Sequence, residues 1–413
     1  MRRRDFLRGV ATTAAIGTAG CTFHGLTGGS RSASVAWTWT DTAVEDLGAT
    51  SRRVYVAGAS RVAALSVADG SVVWEANLAA QSVHAADGVV VCYADDGGET
   101  VGLDAATGDR RWTRRGDLFS WPSHDTAVLD GDRLRAVDLR SGEVRWTVTS
   151  ADDWQATAAD AERVYAVAER DNGPSMHAFD RTAGRERWQT ELAPGFLWSA
   201  ALLDDRLVLG TDRTDPDAGR VAGFDPATGD RLWGIDLGPT LPAPAPTATV
   251  DGHVAVDQFV TDGRGDTCLL DAGTGRQAWC RTDERFLAAD DERVVLEHEP
   301  GKFAGLGPDG TREWTSRMEV IISHSTLDGE MVTPRLWTID RERTFVTSFA
   351  GSNVVSERWI ETGERAWRVT VPEPFDRLVD GHRHVFALDD RRVSALRIEG
   401  TAVPTRIDDT SGP

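Results

Sequence analysis

Eight times the chain writes Gly-x-x-x-Trp, and no other feature limits its fold so sharply. The pairs are Gly70/Trp74, Gly108/Trp112, Gly142/Trp146, Gly184/Trp188, Gly229/Trp233, Gly275/Trp279, Gly310/Trp314 and Gly363/Trp367. Eight of the 15 tryptophans stand on this register, so the spacing is a repeat and not chance. In five copies an Asp lies four residues before the Gly: Asp104, Asp138, Asp180, Asp225 and Asp271. Each follows an apolar residue, as in Leu103-Asp104 and Phe224-Asp225.

The box reads as a hairpin. An apolar strand ends at the Asp, whose side chain can accept backbone N–H bonds of the turn. The Gly supplies the positive φ that a type I turn with a bulge requires. The next strand starts at once and carries the Trp, a large apolar face whose indole N–H needs a partner. A looser signal precedes each box. Short acidic turns lead into apolar strands at Asp87-Gly88-Val89-Val90, Asp204-Asp205-Arg206-Leu207, Asp251-Gly252-His253-Val254 and Asp290-Asp291-Glu292-Arg293-Val294. Each unit is therefore four short strands, at a period of roughly 35–50 residues, which is a propeller signature. The 413 residues exceed one ordinary domain, but a repeat escapes that limit because each unit buries its apolar face against its neighbours.

The box Leu-Asp-Ala-x-Thr-Gly-x-x-x-Trp at Leu103–Trp112, with its close copy at Phe224–Trp233, resembles the PQQ-like, quinoprotein-type propeller repeat. The likeness spans roughly residues 35 to 400. It implies blades docked to one another through Trp. It implies two classes of relative: quinone-dependent alcohol dehydrogenases, and non-catalytic lipoproteins of outer-membrane assembly, usually eight-bladed. The copies depart from the box at Ser66, Leu306 and Trp359, where Asp is expected. The unit ending at Trp146 is compressed and the one ending at Trp367 is stretched.

After Trp367 two more strands follow, around His384–Leu388 and Val393–Ile398, with no Trp strand behind them. Near the other end Val35-Ala36-Trp37-Thr38-Trp39 is a Trp strand with no unit before it. The two ends complete one blade between them, which seals the ring and removes exposed edges. The expected fold is all-β: an eight-bladed propeller of four-stranded antiparallel blades, with nine allowed if every box closes a blade.

The N-terminus reads as an address. Arg3-Arg4-Asp5-Phe6-Leu7 matches the twin-arginine export pattern, a weakly apolar stretch follows, and Thr18-Ala19-Gly20-Cys21 resembles a lipobox in which Cys21 is lipidated. An ordinary cleaved signal with a chance cysteine is the alternative. The apolar stretch is shorter than the about 20 residues that span a bilayer. The expected organisation is a signal at 1–21, a Gly/Ser/Thr-rich tether at 22–34, the propeller at 35–400 and a tail at 401–413. The chain then sits on the outer face of the cytoplasmic membrane, held by lipid alone.

The net charge of −20 excludes nucleic acid as an expected partner, since phosphate binding needs a basic patch. Lys302 is the only lysine. An acidic, arginine-rich and lysine-poor surface resembles that of haloarchaeal proteins, where hydrated carboxylates keep chains apart in screening salt. A GC-rich genome that favours Arg and Asp codons is the alternative.

No catalytic residue, metal ligand or cofactor-binding residue is assigned. The dehydrogenase branch of the resemblance implies a disulfide between adjacent cysteines, a calcium held by Glu and Asn, and an Asp base. The four cysteines are Cys21, Cys92, Cys268 and Cys280, and no two are adjacent. Cys268 and Cys280 flank the sixth turn and read as a cross-strand disulfide or as two buried thiols. Cys92 reads as a core residue. His382 and His384 share a strand face without the spacing of a metal motif. Asp212, Asp215 and Asp217 read as a solvated loop, with hard-oxygen calcium binding as the alternative. Pro239–Pro246 reads as a stiff loop between blades, and Trp154 and Trp198 fall where an innermost strand should run. The expected function is a non-catalytic surface lipoprotein that presents the propeller to another protein or an envelope component. A quinone- and calcium-dependent oxidoreductase and a small-ligand-binding propeller are the alternatives.

Overall fold

The computed structural model describes residues 32–399 apart from 42, 95–97, 116, 119–124, 131–132, 150–152, 170–172, 193–195, 204, 213–218, 238–243, 260–264, 318–325, 328–329, 332–335, 342–343, 350–351 and 382–383. Among the described residues there is no helix. Nine four-stranded antiparallel sheets form the blades of a propeller. Blade 1 consists of Asp46–Ala49, Arg53–Ala57, Val62–Ser66 and Val72–Ala76. Blades 2 to 8 follow at residues 80–115, 117–148, 153–191, 196–236, 244–281, 285–317 and 336–375. Blade 9 takes Arg377–Gly381, His384–Asp389 and Arg392–Glu399 from one end of the chain and Ser32–Thr40 from the other. Ser32–Thr40 pairs with Arg392–Glu399 from Ser32↔Glu399 to Thr40↔Arg392.

The blade number, expected as eight with nine allowed, is nine. All eight boxes close a blade, and the shared blade is the ninth. The degenerate boxes still turn because the turn needs little from the first side chain: Gly363 N–H donates to Trp359 O at 2.8 Å, and Gly363 holds φ +67°. Within each blade the first strand lies innermost, in most blades against the first strands of its neighbours, and the Trp strand lies outermost.

Two boundaries differ from the sequence reading. The closing strand begins at Ser32, inside the stretch read as tether; residues 22–31 and 401–413 lie outside the described residues. Of the expected loop Pro239–Pro246, Pro244 to Pro246 belong to the innermost strand of blade 6, Pro244–Val250, and 239–243 lie outside the described residues. Proline is tolerated there because one edge of that strand faces the channel and needs no ladder donor.

The repeat is understood only across blades. The Trp of each box reaches the turn of the next. Trp112 Nε1 donates to Leu139 O at 2.8 Å, Trp146 to Arg181 O at 2.8 Å and Trp233 to Ala272 O at 2.8 Å. Trp74, Trp188, Trp279 and Trp314 do the same to Ala105, Pro226, Pro308 and Ile360. Trp37 of the closing strand serves blade 1, through Val67 O at 2.8 Å. Each indole also covers the box Gly of that next turn: a Cβ on Gly142 would lie 2.3 Å from Trp112 Cγ. Glycine is thus required twice, by its positive φ and by the ring against it. Opposite each Trp on its own blade stands a small residue in most blades, such as Ala64, Gly102, Ala136 and Gly305.

Trp367 breaks the pattern. It is buried, but its indole N–H has no acceptor. The blade it docks against is the closing one, where Glu399 and Ser32 are separate strand ends and no box turn exists. Trp112→Phe is expected to cost about 1–2 kcal/mol, since it leaves the Leu139 carbonyl buried and unpaired. Trp367→Phe loses no hydrogen bond and should cost less by about that amount, as read by paired denaturant titrations.

Candidate functional site

Strand alternation gives the ring two unlike faces. One carries the turns between first and second and between third and fourth strands. The third-to-fourth turns occupy residues 67–71, 105–109, 139–143, 181–185, 225–230, 272–276, 307–311 and 360–364, nearly constant in length. Their polar groups are consumed internally. Asp104 Oδ1 accepts from Ala106 N–H at 2.7 Å and Thr107 N–H at 3.0 Å, and Asp138 repeats this with Arg140 and Ser141. The Ser141 N–H and Arg145 pull the Asp138 carboxyl down to about 2. Such carboxylates are committed to holding turns and stay ionised at neutral pH.

The opposite face carries the second-to-third connections and the links between blades. The links run from single residues, 116 and 376, to the stretch 318–335, which holds the short pair Thr326–Leu327 and Glu330–Met331. Two polar clusters sit on this face. Asp46, at the head of blade 1, accepts from Val83 N–H of blade 2 at 3.0 Å and pairs with Arg377 of blade 9 at 3.2 Å. It ties three successive blades across the ring closure. Nearby His84 is held below the usual imidazole range by burial, against the upward pull of Asp46.

The second cluster lies at the seam of blades 6 and 7. Arg285 pairs with Glu297 at 3.1 Å, and Glu297 also accepts from Gly301 N–H at 2.8 Å. Asp257 stands beside it and meets Phe286 N–H at 3.4 Å. Burial pushes Asp257 up to about 6 against the pull of Arg285, and burial raises Glu297 as well. A carboxyl whose folded value is raised contributes stability below its unfolded value, near 4, and loses it as pH rises through about 6. Asp257→Asn is therefore expected to match the wild type near pH 4 and to exceed it at pH 7 by about 1–3 kcal/mol, measured by urea unfolding at the two pH values.

A third constellation has relay geometry. Ser175 Oγ lies 2.9 Å from His177 Nε2, and His177 Nδ1 lies 3.1 Å from Glu186 Oε2. In a nucleophile relay the hydroxyl faces substrate and the acid is sequestered. Here the order is inverted: Ser175 is 3 % exposed, His177 0 %, and the Glu186 side chain 47 %. Trp154 packs edge-on over His177 at 5.0 Å. The arrangement joins the third and fourth strands of blade 4, with Ser175 and His177 buried and Glu186 at the surface.

The remaining sequence candidates fall as follows. Cys268 and Cys280 are cross-strand partners joined by a disulfide, with Cα atoms 4.1 Å apart. Cys92 is fully buried, and burial pushes its thiol well up. Trp154 lies on an innermost strand but faces the seam of blades 3 and 4, at 2 % exposure, not the channel. Trp198 also lies on an innermost strand. Asp212 ends a strand, while Asp215, Asp217, His382, Arg3, Arg4 and Cys21 lie outside the described residues. Sequence reasoning did not find Asp46, Asp257, Arg285, Glu297, His177 or Arg377. No local signal marks them, because their partners come from other strands or other blades.

The set that the resemblance implies for a quinone enzyme does not match these residues. No cysteines are adjacent, and Cys268 and Cys280 are bonded across a hairpin. Among the described residues no three His, Cys, Asp or Glu side chains gather as a metal-holding group.

No curated protein matches the sequence. Among solved structures, the chain is similar to the computationally designed Ika8 protein, at 16 % identity and TM-score 0.53 over 77 % of this chain and 96 % of that one. It is also similar to BamB from Moraxella catarrhalis, at 19 % identity and TM-score 0.45 over 65 % and 83 %. Quinohemoprotein alcohol dehydrogenase from Comamonas testosteroni aligns at 12 % identity and TM-score 0.49 over 88 % and 76 %. The family described as outer membrane protein assembly factor BamB matches residues 27–134, 130–258 and 217–406. Those segments take in every box and both strands of the ring closure, and the chain belongs to that family of PQQ-like propellers.

Proposed function

We propose that the protein is a non-catalytic recognition scaffold, exported by the twin-arginine route and held by a lipid on Cys21 at the outer face of the cytoplasmic membrane. The observation that carries the recognition role is the asymmetry of the faces. One face carries mostly short turns, those of the boxes spent on docking blades. The other carries the links between blades, whose lengths vary most, from one residue to the interval between Arg312–Arg317 and Leu336–Arg341, and variable loops on a rigid ring are how binding surfaces are built. The family description, an assembly factor, supports a protein partner. The acidic, lysine-poor surface supports a halophilic setting, where carboxylates keep the scaffold soluble.

The test is crosslinking of the full chain in its native envelope at native salt, followed by mapping of the linked residues. Links to one partner through residues 41–45, 58–61, 282–284, 300–301 and 390–391 support the reading. Links confined to the turns at 105–109 or 181–185 overturn it, as does oxidation of an alcohol by the pure protein with added quinone. Cys21→Ser tests the anchor separately and should release the protein from membranes.

A further inference from the structure

We propose that the outer strand of blade 2, Arg110–Arg115, is a docking edge for an extended acidic segment of a partner protein. This surface lies on the rim and does not depend on the loop-bearing face described above.

The strand reads Arg-Arg-Trp-Thr-Arg-Arg. It is the last of its sheet, hydrogen-bonded on one side only, so its other edge presents unpaired backbone groups. Trp112 is buried against blade 3, while Arg110, Arg111 and Arg115 are exposed and Arg114 is half-buried. The strand's formal charge is +4, in a chain of −20. The other eight outer strands each carry between −1 and +1, as in Val72–Ala76 with Glu75, or Arg231–Asp236 with one charge of each sign.

The nearby carboxylates offset only part of this charge. Asp104 accepts from two turn N–H groups and pairs with Arg111 at 2.5 Å, which neutralises one of the four. Asp109 accepts from the Thr107 hydroxyl at 2.8 Å and makes no ion pair with Arg110 among the described residues. Glu99 stands opposite Arg115 in the register, on the neighbouring strand, without an ion pair to it. Arg114 Nη1 turns back to Thr113 O at 2.9 Å. Arg110 and Arg115 have no acidic partner among the described residues.

Charge on an edge strand usually blocks pairing. Here the three arginines not held by Asp104 repel a second copy of the same edge, but they attract a strand of opposite sign. Strand addition takes its affinity from backbone bonds and its selectivity from side chains at alternate positions, and cross-strand pairs of opposite charge favour one register. The partner fitted by this edge is an extended segment with acidic residues at alternate positions.

The test uses the full chain and a labelled peptide alternating Glu with Val and Thr, read by fluorescence anisotropy at native salt and again at lower salt, where weaker screening should tighten the binding. Binding of the acidic peptide is expected, with no binding of its Lys-for-Glu counterpart. Arg110→Glu with Arg115→Glu should weaken the acidic peptide by more than about tenfold and admit the Lys peptide. Both sites are exposed, so the variant should fold; Arg110→Gln with Arg115→Gln is the milder check. Amide exchange at residues 110–115 should slow on binding. Equal binding by the variant, or no slowing at these amides, overturns the proposal. So does binding to anionic phosphatidylglycerol vesicles in place of the peptide, which would make the patch a membrane contact.

Discussion

A chain that begins at Asp41 is expected to lose its closed ring. Removing Ser32–Thr40 takes away the outermost strand of blade 9 and leaves Arg392–Glu399 as a bare edge. It also removes Trp37, which covers Gly70 and donates to Val67 O. Ala33 and Val35 go too, and they pack on the cluster of Trp367, Leu396 and Ile398. Truncating one buried Trp alone costs about 3–5 kcal/mol. The loss of the whole strand should exceed that and approach the total stability of an ordinary domain. The expected result is aggregation in size-exclusion chromatography and loss of the cooperative thermal transition. A synthetic peptide of residues 32–40 added in trans should restore part of it. A truncated chain that stays monomeric and melts at the wild-type temperature would show that the ring does not rely on this seam.

Gly142→Ala should be at least as damaging as losing the ring that sits on it. A methyl group there would stand 2.3 Å from Trp112 Cγ, so the indole must leave its seat. The φ of +66° adds its own cost for any residue with a Cβ, about 1–2 kcal/mol. Together these predict a loss of about 4–6 kcal/mol in denaturant titration. Two companions separate the terms. Gly88 also has a positive φ, +78°, but a Cβ there meets nothing within 4 Å. Gly88→Ala should therefore cost only the backbone part, about 1 kcal/mol. In the background of Trp112→Ala the steric part of Gly142→Ala disappears, so the double substitution should fall well short of additivity. Additive costs would mean that the Gly and the Trp of neighbouring blades are not coupled.

Much of the architecture was legible before any coordinates. The turn chemistry of the boxes is local, since Asp, Gly and Trp lie within nine residues of one another, so spacing alone exposes it. The closure was legible because unpaired pieces stood at both ends. The blade number was harder: the boxes departing at Leu306 and Trp359 are irregular and the resembled relatives usually have eight blades, yet both turns survive on a backbone carbonyl and a glycine. The overlap of the expected loop at Pro239–Pro246 with the strand Pro244–Val250 arises because proline weighs against strands generally, whereas an innermost strand spares one edge. The polar clusters were not legible. Asp257 and Arg285 belong to different blades, and in a chain with this many carboxylates and guanidiniums nothing local marks the few that meet.

The amino-acid sequence by itself determined the repeating four-strand unit, its turns and the way the ring closes, because each depends on residues close in the chain or on a period that can be counted. Tertiary structure alone decided which tryptophan covers which glycine. It alone brought Asp46 between Val83 and Arg377, inverted the burial order of Ser175, His177 and Glu186, and left Trp367 without an acceptor. Those outcomes depend on how neighbouring blades stand side by side, and the pairing of side chains across a seam is set by packing between elements that are distant in the chain.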